Sequence, residues 1–170
     1  MRNLAESVRI GHGYDLHRLE PQAPSGSGRP LVVGGVRLDL DRGPIAHSDG
    51  DALLHAVTDA LLAAASLPDI GQLFPDNDPR HESQDSRDFL REAGDRVRAL
   101  GWTIANIDAT VILEKPKLSP HKAAMRSCIA GVLDIDVSRV GLKGKTHEKV
   151  DAVGEGRAIE VHAVALLVRD

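Results

Sequence analysis

Residues 47–62 read HSDGDALLHAVTDALL, a polar opening that passes directly into a long apolar run with a helical period. Ser48 or Asp49 can accept hydrogen bonds from the free N–H groups of a first helical turn, so either residue is a plausible N-cap. The alanines and leucines that follow favour a helix. This stretch therefore predicts the helix around which the rest of the chain is organised.

Within this helix, Asp51, His55 and Asp59 lie at positions i, i+4 and i+8, and therefore share one face. A histidine between two carboxylates can be a metal ligand whose ring the carboxylates hold in place. The same spacing is also typical of Asp–His pairs on a solvated helix surface. Spacing alone leaves both interpretations open.

A second pair of polar side chains lies at the end of a predicted strand. In residues 8–17, mainly apolar side chains at the even positions alternate with polar residues and glycines at the odd positions, which predicts a β-strand. Asp15 and His17 are two residues apart, so they point to the same face of that strand. A carboxylate beside an imidazole is typical of a zinc site, whereas the alternative is a polar strand end that faces water.

Composition limits the classes of function. The 170 residues, of which 42% are hydrophobic, predict a single folded domain spanning residues 1–170. Only 2% are aromatic, the net charge is −4 and there is no long basic run, which argues against a nucleic-acid partner. A single cysteine, Cys128, excludes an intrachain disulfide. With no apolar signal segment and no run long enough to span a bilayer, we expect a cytoplasmic protein without a membrane partner.

Three more local patterns complete the predicted helices and turns. Gly34 and Gly35 separate two short β runs and predict a tight hairpin. Residues 86–100 have the pattern of an amphipathic helix. Ser119 as a cap and Pro120 as the first helical residue predict the start of a third helix.

The predicted strands and helices alternate along the chain. Residues 158–169 are largely apolar, which suits a strand buried on both faces of a sheet. We therefore expect a two-layer fold of the α+β or α/β class. It would contain one mixed, mostly parallel sheet, three main helices packed on one face, and a small hairpin.

Residues 69–79 read DIGQLFPDNDP and have the composition of a turn stiffened by prolines. Aspartates in such a segment can accept hydrogen bonds from a hydroxylated substrate. The alternative is a rigid loop without a ligand.

Taken together, these motifs resemble the 2-C-methyl-D-erythritol 2,4-cyclodiphosphate synthase family, in order and over nearly the whole chain. The matching segments are GHGYDLHR at 11–18, HSDGD at 47–51, HAVTDAL at 55–61, DIG at 69–71, FPDND at 74–78, DATVILE at 108–114, PKL at 116–118 and AVALL at 163–167. The resemblance implies a phosphorus–oxygen lyase of non-mevalonate isoprenoid biosynthesis. The substrate would be 4-CDP-2-C-methyl-D-erythritol 2-phosphate. Its 2-phosphate would attack its own β-phosphorus, which releases CMP and forms the 2,4-cyclodiphosphate. It also implies a homotrimer with active sites between neighbouring subunits.

The resemblance assigns the two metal sites and two catalytic residues. Asp15, His17 and His55 would bind zinc and leave its fourth position to a phosphate oxygen or a water. Glu148 would bind magnesium or manganese, which suits a hard oxygen ligand beside substrate phosphates. His47 and Glu148 would be the catalytic residues, and Asp59 would orient His55.

The same resemblance implies the substrate contacts. His47 and Ser48 would lie at the 2-phosphate, and Thr146 at the phosphates, with Lys145, His147 and Glu148 beside it. The methylerythritol would be surrounded by Asp69, Gly71, Phe74, Asp76 and Asp78. The cytosine would meet the backbone of Pro116, Lys117, Leu118, Ser119 and Pro120.

The chain departs from the family pattern at several positions. Many members carry consecutive threonines before the metal-binding glutamate, whereas this chain has KTHE at 145–148. Lys145 would either contact a phosphate or point to solvent. Residues 152–157, AVGEGR, and His162 also differ where relatives line a central trimer channel. Two alternative functions are a zinc-dependent phosphohydrolase, which would not need residues 116–120 or 146–148, and a non-catalytic trimeric metal-binding module.

Overall fold

The structure, a computed structural model, describes residues 4–75, 78 and 83–169. Helices and strands follow each other along the chain as α1 (Leu4–Ser7), β1 (Val8–Pro21), β2 (Val32–Val33), β3 (Val36–Arg37), β4 (Arg42–Pro44), α2 (Ala52–Ala64), α3 (Ile70–Leu73), α4 (Ser86–Ala99), β5 (Thr103–Ile112), α5 (Lys122–Val132), β6 (Val140–Lys145), α6 (Asp151–Gly154) and β7 (Ala158–Val168). None of the helices in these ranges has the length and hydropathy needed to cross a bilayer.

Five strands form one mixed sheet in the order β4-β1-β7-β5-β6. The expected mixed sheet is confirmed, but the expectation that it is mostly parallel is wrong. Among the described strands, only β5 and β6 pair in parallel, whereas β1/β4, β1/β7 and β5/β7 are antiparallel. The reason is that β7, the last strand, lies between β1 and β5 and runs opposite to both.

Helix α2 lies directly against the backbone of β1. A Cβ atom added at Gly13 would lie 1.9 Å from the carbonyl oxygen of Ala56, and one added at Gly11 would lie 2.2 Å from that of Ala60. Only glycine permits so close an approach. Because Asp15 and His17 continue the same face of β1, this contact brings them next to the first turns of α2.

Asp51 is the N-cap of α2, not Ser48 or Asp49 as the sequence suggested. Its buried carboxylate accepts the N–H groups of Leu53 and Leu54 at 3.1 and 3.0 Å. It also accepts the N–H groups of Gly34 and Gly35 at 2.8 and 2.6 Å. Both glycines have positive φ values, +61° and +72°, as the predicted hairpin between β2 and β3 requires. One carboxylate therefore joins the hairpin to the helix.

The other predicted helices are close to their expected bounds. Helix α4 covers Ser86–Ala99, and Gly101 follows it with a φ of +77°. Helix α5 begins at Lys122, two residues after Pro120. The N–H groups of His121 and Lys122 both bond to the carbonyl oxygen of Leu118, so Ser119 and Pro120 form a turn before the helix.

One face of the sheet carries the helices and the other is open in the single chain. On the open face, the exposed fractions of Ile10, Tyr14 and Leu16 are 70%, 46% and 48%, and that of Val164 is 36%. Burial alternates along β7, so the expectation that this strand is buried on both faces is wrong for the chain alone. Large apolar side chains grouped on one exposed sheet face are typical of a surface that another protein covers.

Candidate active site

Three ionisable side chains from β1 and α2 meet on the covered face of the sheet. The Asp15 Oδ2 atom lies 3.1 Å from His17 Nε2 and 3.1 Å from His55 Nδ1. One ligand atom from each of these residues lies within 4.8 Å of the other two. The residues singled out on the strand and on the helix are thus brought together, although 40 positions separate Asp15 from His55.

This cluster has the donors that a zinc ion requires. His17 Nε2 is buried and has no hydrogen-bond partner, although it points toward the carboxylate. Two imidazole nitrogens and one carboxylate oxygen are a common zinc ligand set, and three protein ligands leave one tetrahedral position open. The residues present therefore fit a catalytic zinc ion.

Asp15 and His55 each stabilise the charged form of the other. Burial alone would raise the pKa of Asp15, but the His17 and His55 imidazoles, each 3.1 Å from its carboxylate, outweigh burial and hold that pKa far below its usual range. Burial alone would lower the pKa of His55, but the Asp15 carboxylate outweighs it and raises that pKa. Asp15 is therefore an anion at neutral pH and can bind a cation.

The second nitrogen of His55 is held by two serines. His55 Nε2 lies 2.8 Å from Ser86 Oγ and 3.2 Å from Ser48 Oγ. Ser86 Oγ in turn donates to the Asp49 carboxylate, which also accepts the Ser86 N–H. Holding one ring nitrogen in this way leaves Nδ1 directed at Asp15. Sequence reasoning missed Ser86, whose only signal was its position at the start of an amphipathic helix.

Asp59 does not orient His55 as expected. The hydrogen bonds of His55 go to Asp15, Ser48 and Ser86, whereas Asp59 accepts the N–H of Ile70 at 2.8 Å. Burial raises the pKa of Asp59. This carboxylate therefore fixes the start of α3 rather than the imidazole ring.

A cavity of about 480 Å³ opens above the cluster. It is lined by Asp15, His17, Ile45, Ala46, His47, Ser48, His55, Ile70, Gly71, Phe74 and Phe89. His47 Nε2 is buried without a hydrogen-bond partner, and Ser48 is 8% exposed. Both residues line the cavity, next to the possible metal ligands.

The loop that was expected to surround a polyol contributes only in part. Gly71 and Phe74 line the cavity, and the Phe74 ring packs on Phe89 with 4.6 Å between ring centroids. Asp69 instead caps α3 by accepting the N–H of Gln72 at 2.9 Å, and neither it nor Asp78 lines the cavity. Asp76 lies outside the described residues.

A second cavity, of about 330 Å³, lies at the ends of β5 and β6. Its lining consists of Leu113, Glu114, Pro116, Lys117, Leu118, Ser119, Lys122, Gly144, Lys145, Thr146 and Glu148. Pro120 and His147 are not part of it, and the His147 ring bonds to Asp151 at 2.9 Å. That bond and the carboxylate charge raise the pKa of His147. Sequence reasoning missed Glu114, whose Oε2 atom is buried without a hydrogen-bond partner.

Glu148 is held in an unusual backbone conformation at the rim of this cavity. The φ values of Glu148 and Lys149 are +50° and +63°, in the left-handed region that costs non-glycine residues energy. Thr146 Oγ1 donates to Glu148 Oε1 at 2.7 Å. Such strain is often retained where a side chain has to be aimed at a ligand.

The two cavities lie at the same end of the sheet. Asp15 on β1 is opposite Val161 on β7, and Ile112 on β5 is opposite the adjacent Glu160. The cavities have no lining residue in common. The chain therefore provides two separate polar surfaces, one around the carboxylate–imidazole cluster and one around residues 113–119 and 144–148.

Comparison with known proteins identifies similar chains. The YgbB family model matches residues 8–168. The chloroplastic 2-C-methyl-D-erythritol 2,4-cyclodiphosphate synthase of rice is 55% identical over 161 residues, which cover 95% of this chain and 70% of the rice protein. The 2-C-methyl-D-erythritol 2,4-cyclodiphosphate synthase of Burkholderia mallei is 51% identical over 162 residues, 95% of this chain and 96% of that protein. The Plasmodium falciparum IspF structure, a CDP complex, has a TM-score of 0.83 at 37% identity and covers 96% of this chain and 97% of that one.

Proposed function

The chain belongs to the YgbB family, and from that membership we propose that it converts 4-CDP-2-C-methyl-D-erythritol 2-phosphate to 2-C-methyl-D-erythritol 2,4-cyclodiphosphate and CMP. This is a phosphorus–oxygen lyase reaction of non-mevalonate isoprenoid biosynthesis. The observation that carries the proposal is the Asp15–His17–His55 cluster at the cavity wall, because the reaction joins two anionic phosphates and needs a cationic centre.

In this reaction an oxygen of the 2-phosphate attacks the β-phosphorus, and the bond from the β-phosphorus to the oxygen shared with the α-phosphate breaks. That oxygen leaves with CMP. Asp15, His17 and His55 would hold zinc, and Glu148 would hold magnesium or manganese. When bound, these cations neutralise phosphate charge and polarise the phosphorus under attack. The chain's own residues then have to hold the 2-phosphate in line with the bond that breaks.

Several residues are placed for that positioning role. His47 and Ser48 line the same cavity as the cluster, where the 2-phosphate would lie. Gly71 leaves space for the methylerythritol carbon chain, and Phe74 provides an apolar surface for it. His47 would act by positioning the 2-phosphate, because the reaction requires no protein nucleophile. As the resemblance implies, Asp69, Asp76 and Asp78 would also contact the methylerythritol.

The second cavity would receive the nucleotide. Residues 116–119 line this cavity, and their backbone groups would contact cytosine. Lys145 and Thr146 line the same cavity and would contact the phosphates. Glu148 and Glu114 supply carboxylate oxygens to the same space, which suits a hard cation that keeps several waters. The homologous structure from Plasmodium falciparum is a CDP complex, which supports a CDP-linked substrate for this chain.

We propose that the active protein is a homotrimer. The exposed apolar side chains on the open sheet face support an interface between copies, because such a face is unfavourable in water. The two cavities of one chain have no lining residue in common, which supports an active site formed by the first cavity of one copy and the second cavity of its neighbour.

The cytoplasm remains the predicted compartment, and the rice relative is chloroplastic by name.

The proposed function is tested by following both products. Incubation of the purified protein with zinc, magnesium and 4-CDP-2-C-methyl-D-erythritol 2-phosphate is expected to release CMP and the cyclic diphosphate in equal amounts. Phosphorus NMR distinguishes the ring from an open chain. CMP release with an open-chain bisphosphate would indicate a phosphohydrolase, and zinc binding without turnover would indicate a non-catalytic metal-binding module.

The role of Glu148 is tested by Glu148→Gln, which keeps the shape of the side chain and removes its charge. We expect the concentration of magnesium or manganese needed for half-maximal activity to rise roughly 10–100-fold, because the cation loses its anionic protein ligand. Zinc content is expected to stay unchanged. Glu92→Gln, on the outer face of α4, is the matched control and should leave metal dependence unaltered. An unaltered dependence in Glu148→Gln itself would remove the proposed role.

A further inference from the structure

The open face of the sheet carries a second group of ionisable side chains, apart from the proposed active site. His12 Nε2 lies 3.1 Å from His162 Nδ1, and His162 Nε2 lies 2.9 Å from Glu160 Oε1. Along β1, His12 alternates with Gly11 and Gly13, which face α2, so it points away from the Asp15–His17–His55 cluster. We propose that His12 and His162 form a binding site for one divalent transition-metal ion per chain, with Glu160 as the residue that orients His162.

The hydrogen bonds assign the proton on each ring. An ionised carboxylate only accepts hydrogen bonds, so His162 Nε2 carries the proton that bonds to Glu160. His162 Nδ1 then presents a lone pair toward His12. A carboxylate that holds one imidazole N–H while the other nitrogen binds the ion is the usual arrangement at histidine-ligated metals.

The spacing of the two nitrogens fits a shared ion. Two imidazole nitrogens bound to one zinc ion at about 2.0–2.1 Å in tetrahedral geometry are about 3.3 Å apart. The observed 3.1 Å is close to that distance. In the metal-free pair, His12 Nε2 carries the proton that His162 Nδ1 accepts. When the ion binds, the single proton of His12 moves to Nδ1 and frees Nε2 for the metal, so no net proton is released. Zinc, nickel and copper are the ions that such imidazole ligands prefer.

In the single chain, the surroundings leave room for the remaining ligands on the sheet face that we propose as the interface between copies. The His162 side chain is 42% exposed and that of Glu160 is 20% exposed. The neighbouring ring of Tyr14, with its centroid 5.0 Å from that of His162, packs beside the imidazole and limits its rotation. Two protein nitrogens leave the other tetrahedral positions to water or to groups of a neighbouring copy.

The stoichiometry of zinc binding by the metal-stripped full chain tests this site. Equilibrium dialysis against saturating zinc, with magnesium in large excess so that the proposed Glu148 site holds magnesium, is expected to give two zinc equivalents per chain in the unmodified protein. His12→Ala and His162→Ala should each retain one equivalent, held by Asp15, His17 and His55. His55→Ala should also retain one, so loss of the active-site ion and loss of this ion are distinguishable. His121→Ala, which changes a histidine outside both clusters, is the control and should retain two.

Two further measurements examine the geometry. Glu160→Gln should keep two equivalents and weaken the second by roughly 10–100-fold. In the unmodified protein, the second equivalent should shift the imidazole NMR signals of His12 and His162 and leave those of His17 and His55 in place. One equivalent in the unmodified protein, or two in both His12→Ala and His162→Ala, would overturn the proposal.

Discussion

Replacing His55 by alanine is expected to remove the zinc ion that we propose is bound by Asp15, His17 and His55, and to lower kcat/KM for CMP release by roughly 1,000-fold. The substitution deletes the only ligand that α2 gives to the cluster. Asp15 and His17 remain, but two ligands from one strand hold zinc far more weakly than three. Metal analysis and the CMP-release assay measure the two effects on the same preparation.

Matched variants separate the ligand from its neighbours. His121→Ala should keep both zinc and activity, because His121 lies at the start of α5 and lines neither cavity. Ser86→Ala removes a group that holds His55 Nε2, so a smaller loss of zinc affinity, about 10–100-fold, is expected. The oligomeric state should be unchanged in all three variants. Full retention of active-site zinc by His55→Ala would reject the ligand assignment.

The second large effect concerns folding. Asp51→Ala is expected to lower the free energy of unfolding by on the order of 3–5 kcal/mol and the melting temperature by roughly 10 °C. The buried carboxylate accepts four backbone N–H groups, two at the start of α2 and two in the hairpin at Gly34 and Gly35. Alanine leaves these donors without a partner in a place that water does not reach, and the cost of each unpaired donor adds to the loss of the cap.

A cap in a different environment is the control. Asp85 caps α4 by accepting the N–H of Arg87 at 2.9 Å, but its side chain is 39% exposed. Water can replace this bond, so Asp85→Ala should cost about 1 kcal/mol. Thermal and urea unfolding of the two variants side by side would show the difference. Equal losses for the two substitutions would mean that the hairpin bonds of Asp51 contribute little.

Local patterns predicted much of this fold because they depend on neighbouring residues. The apolar period of residues 52–64 gives α2, and the two glycines at 34 and 35 give the hairpin turn. Alternation along residues 8–17 placed Asp15 and His17 on one face, which the structure shows to be the face against α2. The two halves of the cluster were therefore visible separately in the sequence.

Features that depend on distant parts of the chain were not predictable in this way. The insertion of β7 between β1 and β5 changes the sheet from mostly parallel to mostly antiparallel, and no local pattern records which strands become neighbours. Ser86 reaches His55 across 31 positions, so its role appears only when α4 has packed on α2. Asp59 shares the helical face of His55 but bonds to Ile70, which spacing could not distinguish from a contact with the imidazole.

The glycines at 11 and 13 also determine how far the strand ligands lie from the helix ligand. Main-chain atoms of β1 and α2 touch at these positions, so the separation between the two elements does not depend on the size of any side chain between them. Changes of volume elsewhere in the hydrophobic interior can then be absorbed without altering the distances that separate Asp15, His17 and His55. A methyl group at either glycine would push β1 and α2 apart and would move the imidazole of His55 away from Asp15 and His17.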